Sequence, residues 1–273
     1  MKKLLTVALI VCLAITAFAG CTKEENQTLI LATTTSTENS GLLAAILPVF
    51  EEETGITVDV IAIGTGAALQ RGRDGDADVL LVHAKTSEEE FIADGHGTKR
   101  SDVMYNDFVV VGPKDDPAAI LDIKDDVNKA YATILDLEAT FISRGDDSGT
   151  HKKEKSLWAE AGLEPAGDWY VEVGKGMGDT LVMAAEMGAY TMTDRATFLS
   201  MRDNLDLQIV FEGAPPLFNQ YGVIPVDPEK NDLINHDAAN EFVEWLLNPE
   251  TQKLIGEFGM EEYGQSLFIP NAK

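Results

Sequence analysis

Three short segments place hydroxyl-bearing residues or glycine directly between a predicted strand and a predicted helix. They are Thr33-Thr34-Thr35-Ser36, Gly64-Thr65-Gly66 and Ser148-Gly149-Thr150. Hydroxyls and backbone N–H groups donate hydrogen bonds, and the first turn of a helix is the positive end of its dipole. Each segment alone is typical of an ordinary helix cap. The three together predict a site for a small anion.

Arg144 adds a positive charge to the third segment. It follows a predicted strand at residues 141–143 and shares a loop with Ser148. Its planar guanidinium can donate two parallel hydrogen bonds to an oxyanion, which the ammonium group of a lysine cannot do. An ion pair with Asp146 or Asp147 is the alternative role. We expect the ligand role because the arginine and the hydroxyl donors share one loop.

Predicted strands and helices alternate along the chain, which is typical of an α/β fold with parallel βαβ units. Apolar runs predict strands at residues 28–32, 57–63, 79–82, 103–111, 141–143, 189–192, 207–211 and 221–226. Helices are predicted at residues 41–53, 67–73, 87–94, 151–161, 179–188, 237–247 and 251–258. Ligands of open α/β sheets bind at the carboxyl ends of strands. All three segments are predicted to lie at that edge.

Glycines and prolines near residues 112–117 and 213–216 indicate two crossings of the chain between lobes. The predicted division assigns residues 28–110 and 222–273 to lobe I and residues 111–221 to lobe II. Two crossings suit the closure of a hinge around a ligand.

Residues 1–20 have the features of a secretory signal, with a basic start and an apolar run that fits a signal better than a membrane span. Phe18-Ala19-Gly20-Cys21 resembles a bacterial lipobox, although Phe18 stands where leucine is usual. This resemblance implies that Cys21 carries the lipid and that residues 21–27 form a tether. We therefore expect an extracytoplasmic protein that contacts the membrane only through its lipid anchor.

The composition limits the partners and the kind of site. The formal net charge is -25, from 21 basic and 46 acidic residues, and this charge repels nucleic acid. An anion site on such a protein must depend on local donors shielded from water, because the overall field does not attract anions. Of the two cysteines, Cys12 lies inside the predicted signal. The processed chain is therefore expected to have neither an intramolecular disulfide nor a cysteine metal site.

Several groups of residues together resemble the periplasmic tungstate-binding proteins. They are Thr33–Ser36 with Ser40-Gly41, Gly64–Gly66, Gly75–Val79 with His83-Ala84, Ser143–His151, and Ala189–Arg195. The resemblance implies an α/β, two-lobe type II periplasmic-binding-protein fold with a hinge and an inter-lobe ligand cleft. In such a fold the oxyanion is held between the lobes and no chemistry is performed.

The same resemblance implies which residues donate to the oxyanion. They are Thr34, Thr35, Ser36, Thr65, Gly66, Arg144, Ser148, Gly149 and Thr150. The implied ligand is tungstate, and molybdate, which is nearly the same in size and charge, stays open as a second ligand. The implied partners are the permease and the ATPase of an ABC importer. We expect a monomer that is not an enzyme and needs no cofactor.

Two other binding functions stay open. Arg144, Asp146 and Ser148-Gly149-Thr150 also resemble the loop of periplasmic phosphate-binding proteins, in which a carboxylate accepts the proton of hydrogen phosphate. Tungstate is fully deprotonated at neutral pH and offers no such proton, so the direction of Asp146 distinguishes the two ligands. An anion-sensing receptor domain would have the same cleft.

Catalysis is not expected. Ser148 and His151 are close in sequence, but they lack the strand-turn-helix context of a nucleophile elbow. The four histidines show no spacing typical of a metal site. A calcium loop beginning at Asp74 fails because Val79 and Lys85 occupy the positions that require glycine and glutamate.

Overall fold

The computed structural model describes residues 27–146 and 148–273. The predicted signal at residues 1–20, the predicted lipidation site Cys21 and the tether up to residue 26 lie outside the described residues. Within the described part of the chain, no helix has both the length and the apolar composition that a membrane span requires.

The described residues form ten strands and eleven α-helices. The strands are β1 (Thr28–Thr34), β2 (Thr57–Ile63), β3 (Val79–Val82), β4 (Ser101–Pro113), β5 (Phe141–Ser143), β6 (Tyr170–Glu172), β7 (Thr191–Asp194), β8 (Leu207–Phe211), β9 (Phe218–Pro225) and β10 (Ile269–Pro270). The helices are α1 (Thr35–Asn39), α2 (Leu42–Thr54), α3 (Thr65–Asp74), α4 (Lys85–Ala93), α5 (Val127–Asp136), α6 (Gly149–Glu160), α7 (Met177–Met187), α8 (Arg195–Met201), α9 (His236–Leu247), α10 (Pro249–Glu257) and α11 (Met260–Tyr263).

The first lobe, which we call lobe I, is built on a sheet with the strand order β10-β4-β9-β3-β1-β2. β1 is parallel to β2 and β3, whereas β9 is antiparallel to β3 and β4. The prediction of parallel units is therefore confirmed for β1 to β3 and wrong for β9. The reason is that β9 enters lobe I from the opposite end, after the chain returns from the second lobe.

The second lobe, which we call lobe II, is built around β5 to β8. β5 and β6 are parallel, with Ser143 opposite Glu172. β5 also lies beside the residue that precedes β7, because the N–H of Ile142 donates to the carbonyl of Tyr190 at 2.8 Å. β7 and β8 are both antiparallel to β4.

β4 belongs to both lobes. Its residues 101–107 pair with β9, and its residues 108–113 pair with β7 and β8. The chain returns between the end of β8 and the start of β9, so it crosses between the lobes twice. The predicted lobe limits lie inside β4 and β9.

The apolar core is continuous through β4. One cluster extends from lobe I into lobe II and includes Val103, Met104, Val109 and Val111 of this strand. A separate cluster on the other face of lobe II centres on Trp158, whose ring lies edge-on to Tyr131 and Phe141, with centroids 4.4 and 5.5 Å away. Such aromatic pairs contribute about 0.5–1.5 kcal/mol each beyond their burial. These cores make each lobe a firm support for the loops at its edge.

Helix α5 is the longest element that the sequence analysis does not predict. Its buried residues Val127, Ala130, Tyr131 and Ile134 have helical spacing, and the Asp126 carboxylate caps its start by accepting from the Lys129 N–H at 3.0 Å. The periodicity was therefore present in the sequence, but the polar residues before it gave the segment the character of a surface connection.

Candidate functional site

In lobe I, the carboxyl ends of three strands lie side by side. Thr34 at the end of β1 is opposite Ile63 at the end of β2, and Thr33 is opposite Leu81 near the end of β3. The first two predicted segments begin at the ends of β1 and β2. The third strand is followed by His83.

In lobe II, the carboxyl ends of β5, β6 and β7 also share one edge. Ser143 and Glu172 end β5 and β6 opposite each other, and Asp194 at the end of β7 is opposite Phe108 of β4. β3 ends with Val82 opposite Gly222, toward the start of β9, which pairs with β4 at Asp107. The carboxyl edges of the two lobes therefore both lie near the point along β4, between Asp107 and Phe108, where this strand stops pairing with β9 and starts pairing with β7.

The threonine-serine segment forms the short helix α1 rather than a loop. Thr33 is buried and its hydroxyl donates to the Leu81 carbonyl at 2.7 Å. Thr34 is also buried, and it caps α1 by accepting from the Thr37 N–H at 3.2 Å. Thr35 and Ser36 are exposed. Thr34 therefore supports the segment from within, and Thr35 and Ser36 present hydroxyls at its surface.

The second segment opens helix α3. Gly64 is the N-cap in an extended conformation, and Thr65 and Gly66 form the first turn. The first backbone N–H groups of a helix have no acceptor within the helix. Open space surrounds the position that a Cβ would take on Gly66. The turn can therefore donate N–H groups and the Thr65 hydroxyl to a ligand.

The third segment opens helix α6. The hydroxyl of Ser148, the N-cap, accepts from the His151 N–H at 3.3 Å. Gly149 and Thr150 form the first turn, and a Cβ on Gly149 would meet no atom within 4 Å. Like α3, this helix has a glycine and a threonine in its first turn, although its N-cap is a serine and it belongs to the other lobe.

The Arg144 loop leads from β5 into this helix. Arg144 Nη2 lies 2.5 Å from Asp146 Oδ2, so the ion pair considered from the sequence is present. Arg144 Nε is buried and has no hydrogen-bond partner among the described residues. Gly145 has φ +59°, and a Cβ there would lie 2.8 Å from Cβ of Glu172. Glycine is therefore required for the loop to turn over β6.

Asp146 directs both carboxylate oxygens into its own loop. Oδ2 accepts from Arg144, and Oδ1 accepts from the Ser148 N–H at 3.2 Å. Burial acts to raise the pKa of Asp146, but the hydrogen bonds from Ser148 and Arg144 outweigh it and lower the pKa. The carboxylate is therefore ionised at neutral pH, and it braces the arginine.

A buried carboxylate holds the start of the Arg144 loop in place. Glu154 of α6 accepts from Ser143 Oγ at 2.8 Å, from the Tyr170 hydroxyl at 2.7 Å and from Trp158 Nε1 at 3.3 Å. Burial raises the pKa of Glu154, although these hydrogen bonds oppose the shift. The network ties β5, β6 and α6 together directly beneath Arg144.

The hinge carries a second partly buried arginine. Arg195 donates to both carboxylate oxygens of Asp107 at 2.7 and 2.6 Å and to Glu212 at 2.6 Å. Burial opposes a rise in the pKa of Arg195, but the two carboxylates raise it nonetheless. Because its charge is already satisfied, Arg195 braces the crossing of β4 and is a poor candidate for binding a ligand.

The family and the fold follow from comparison with known proteins. A model of the PBP superfamily domain matches residues 22–250. The chain belongs to the PBP superfamily. The tungstate-binding protein TupA of Peptoclostridium acidaminophilum is 52% identical, over 100% of this chain and 99% of that protein.

Solved structures of PBP-superfamily relatives agree with this fold. The tungstate-binding protein TupA from Desulfovibrio alaskensis G20 is 47% identical, covers 90% of this chain and 100% of its own, and superposes with a TM-score of 0.84. The tungstate ABC transporter structure from Geobacter sulfurreducens is 49% identical, covers 85% and 98% of the two chains, and has a TM-score of 0.72. The predicted two-lobe α/β fold is confirmed.

The candidate site contains two features to which the sequence analysis gives no role in binding. Gly174-Lys175-Gly176 follows β6 and opens α7, and the Lys175 N–H donates to the Arg144 carbonyl at 3.3 Å. Its strand-glycine-helix pattern is the same signal as in the other segments, but β6 is too short to be read with assurance as a strand. His83 contacts Thr34 and Ser36 through Nε2. No local pattern indicates this contact.

The arrangement as a whole can bind an acceptor-rich anion. Donors of lobe I are hydroxyls and backbone N–H groups, and lobe II adds a guanidinium. Among the described residues, no cluster of histidine, cysteine and carboxylate side chains is suited to hold a metal cation. The site therefore offers hydrogen-bond donors rather than metal ligands.

Proposed function

We propose that this chain is the extracytoplasmic tungstate-binding receptor of an ABC importer. The observation that carries the proposal is its full-length similarity, at 52% identity, to a protein named for tungstate binding. Two solved relatives named for tungstate binding or transport share its fold. The three helix-opening segments provide the donors that such a ligand needs.

Tungstate is a dianion whose oxygens only accept hydrogen bonds. The hydroxyls of Thr35, Ser36, Thr65 and Thr150, the N–H groups of Gly66 and Gly149, and the guanidinium of Arg144 are all donors. Hydrogen bonds to a charged group contribute about 1.5–3 kcal/mol each when buried. The repulsion from a net charge of -25 is screened beyond about 8–10 Å at physiological salt. A few shielded local donors can therefore outweigh it.

Asp146 supports tungstate over phosphate. Hydrogen phosphate needs an acceptor for its proton, and both oxygens of Asp146 already accept within the loop, from Arg144 and from Ser148. An acceptor aimed at the ligand would repel fully deprotonated tungstate. Molybdate has almost the same size and charge, so we propose it as a weaker or equal second ligand.

Binding begins on lobe I in this proposal. The hydroxyls around α1 and α3 first bind the oxyanion by donating hydrogen bonds to it. The lobes then rotate about β4 and the return crossing before β9, and this rotation closes the Arg144 loop over the anion. Closure replaces the water around the anion with fixed donors. The ligand is released unchanged to the importer, so the chain performs no chemistry and needs no cofactor.

The location and assembly of the protein are further parts of the proposal. We infer an extracytoplasmic monomer anchored through a lipid on Cys21, with a permease and an ATPase as its partners. Expression of Cys21→Ala tests the anchor. The variant should leave the membrane fraction and appear in the soluble extracytoplasmic fraction. Equal membrane retention would remove the lipid anchor from the proposal.

Calorimetric titration of the purified protein with tungstate, molybdate, phosphate and sulfate tests the ligand. We expect tight binding of tungstate and no detectable binding of phosphate or sulfate. Tight phosphate binding with weak tungstate binding would make the phosphate alternative correct. If none of the four anions bound detectably, the three segments would serve only as helix caps.

A further inference from the structure

The imidazole of His83 connects the threonine-serine segment to the hinge strands. Its Nε2 lies 3.0 Å from Thr34 Oγ1 and 3.2 Å from Ser36 Oγ. Its Nδ1 lies 3.0 Å from Asn219 Oδ1 on β9. The ring also packs at a tilt of 33° against Tyr221, with a centroid distance of 4.7 Å. Both nitrogens are thus engaged, one toward the proposed ligand site and one toward the hinge.

The neighbours of Asn219 determine which nitrogen of His83 carries the proton. The Asn219 amide donates from Nδ2 to Asn106 Oδ1 at 2.8 Å, so its Oδ1 faces the imidazole and can only accept. Nδ1 of His83 must therefore be the donor. In the neutral imidazole Nε2 has no proton and accepts instead. A hydroxyl of Thr34 or Ser36 must then donate the hydrogen bond to Nε2.

The connection closes into a ring of polar side chains. Thr34 Oγ1 lies 2.7 Å from Thr37 Oγ1, and the Tyr221 hydroxyl is in hydrogen-bonding contact with Thr37 and Asn106. Asn106 and Asn219 are opposite each other on β4 and β9. Because these strands form the hinge of lobe I, the direction of the hydroxyls in α1 is tied to the backbone about which the lobes move.

We propose that His83 is a positioning residue for the oxyanion donors, and that it sets whether the hydroxyl proton of Ser36 faces the cleft. This inference rests on the proposed function. A neutral His83 takes one hydroxyl proton for itself, because Nε2 needs a donor. A protonated His83 donates from Nε2 to the hydroxyl oxygens, so the hydroxyl proton of the exposed Ser36 is available to the oxyanion. Its positive charge attracts the anion as well.

The surroundings of His83 make it the group that titrates in this ring. The groups that face it are the hydroxyls of Thr34 and Ser36 from the side of α1, and Asn219 with Tyr221 from β9. Burial lowers the pKa of His83, with a smaller opposing effect from Asn219, and no charged group among the described residues contributes to the shift. Burial raises the pKa of Tyr221, so this phenol stays protonated.

A pH dependence of affinity follows from this arrangement. In the ligand-free protein, His83 is neutral at pH 7 because its pKa lies below the ordinary value of 6.5. A bound dianion favours the protonated form and raises that pKa. Affinity should therefore rise as the pH falls from about 8 to about 6, by up to tenfold for each unit by which the anion raises the pKa.

The experiment is a calorimetric titration with micromolar tungstate between about pH 6 and 8, in buffers of different ionisation enthalpy. The full protein is compared with His83→Gln, His83→Ala and His96→Ala. Glutamine keeps a donor and an acceptor but does not titrate. His96 is the matched control because it is a partly buried histidine of lobe I that packs against an aromatic ring, that of Phe91, with 5.4 Å between centroids.

We expect the wild type and His96→Ala to take up protons on binding and to bind more tightly at lower pH. His83→Gln should bind without that proton uptake and with a flat pH profile. His83→Ala should lose roughly five- to tenfold in affinity, the effect of about one net hydrogen bond. A wild-type pH profile in His83→Gln, or wild-type affinity in His83→Ala, would overturn the inference and leave the proposed function intact. Absence of tungstate binding by the wild type would overturn both.

Discussion

The two lobes present helix starts of the same construction, but they supply different chemistry. Lobe I offers uncharged donors, the hydroxyls of Thr35, Ser36 and Thr65, on the edge of a broad sheet. Lobe II offers a guanidinium, that of Arg144, on a loop after a three-residue strand. The uncharged side is held by strand register and a ring of neutral side chains. The charged side is held by carboxylates.

This difference explains how an acidic protein can bind an anion. An arginine in a chain of net charge -25 readily pairs with a carboxylate, and the partly buried Arg144 does so with Asp146. The pairing leaves Nε without a partner among the described residues. The charge therefore stays oriented before a ligand arrives. Lobe I does not need such bracing because its donors carry no charge to be neutralised.

The largest effect should come from removing the charge of lobe II. We expect Arg144→Ala to lose about 100-fold or more in tungstate affinity, because charge-assisted hydrogen bonds contribute about 1.5–3 kcal/mol each. Arg144→Lys should lose less, since it keeps the charge without the planar fork. Calorimetry checks both values.

Arg202→Ala is the matched control for the arginine variants. Arg202 belongs to lobe II, is 43% exposed in its side chain and lies 3.7 Å from Asp203. Its removal should leave affinity unchanged. If Arg144→Ala bound tungstate as tightly as Arg202→Ala, the contrast between a charged and an uncharged lobe would be wrong.

The next largest effect should come from removing the carboxylate of Glu154, whose hydrogen bonds hold the start of the Arg144 loop in place. Glu154→Ala removes the acceptor for Ser143, Tyr170 and Trp158, and we expect the free energy of unfolding to fall by about 3 kcal/mol because buried donors are left unsatisfied. Denaturant unfolding at constant pH measures the change. Glu154→Gln is the control, because an amide can meet the same three side chains and should retain most of the stability. Equal losses in both variants would show that shape rather than hydrogen bonding matters here.

A smaller effect on stability is expected for Gly145 in the Arg144 loop, and it should be absent for Gly149 at the start of α6. Gly145→Ala should lower the free energy of unfolding by about 1–3 kcal/mol, because Gly145 combines a positive φ with close contact to Glu172. Gly149→Ala should leave stability unchanged, since open space surrounds the added methyl group. It should nevertheless weaken tungstate binding if the ligand approaches that backbone. Unchanged affinity in Gly149→Ala would remove Gly149 from the site.

The smallest effects belong to single hydroxyls of lobe I. Thr35→Ala and Thr65→Val should each lower tungstate affinity by roughly fivefold, consistent with the loss of about 1 kcal/mol. Ser200→Ala, which removes an exposed hydroxyl that donates to the Thr197 carbonyl within α8, is the control. A loss in either threonine variant as large as that in Arg144→Ala would mean that the uncharged lobe dominates binding.

The sequence predicts a large part of this fold. β2, β3, β5 and β8 lie at the predicted residues, because each is an apolar run bounded by polar residues. The helix starts after β2 and β5 were predicted to within two residues, since a strand, a cap and a helix follow one another in the chain. Helix α1 was not predicted, because Thr33–Ser36 has the composition of a loop before the helix expected at residue 41. The start of α3 at Thr65 precedes its predicted start, because Thr65 and Gly66 read as loop residues until their backbone is seen.

Other features depend on contacts between residues far apart in sequence. His83 and Asn219 are 136 residues apart, and Arg195 and Asp107 are 88 apart. Their pairing follows from strand order, and the position of β9 between β3 and β4 carries no local signal. The division of β4 between two lobes is equally invisible, because one continuous strand has the same apolar pattern whichever partner it pairs with.

The most direct test is a crystal structure of the protein grown with tungstate, with the anomalous scattering of tungsten used to locate the ion. We predict one anomalous peak between the lobes, with Arg144 and the start of α6 on one side and the starts of α1 and α3 on the other. Oxygen atoms of the ion should lie within hydrogen-bond distance of donors from both lobes. A peak elsewhere, or one contacted by a single lobe in a closed molecule, would contradict the proposed site.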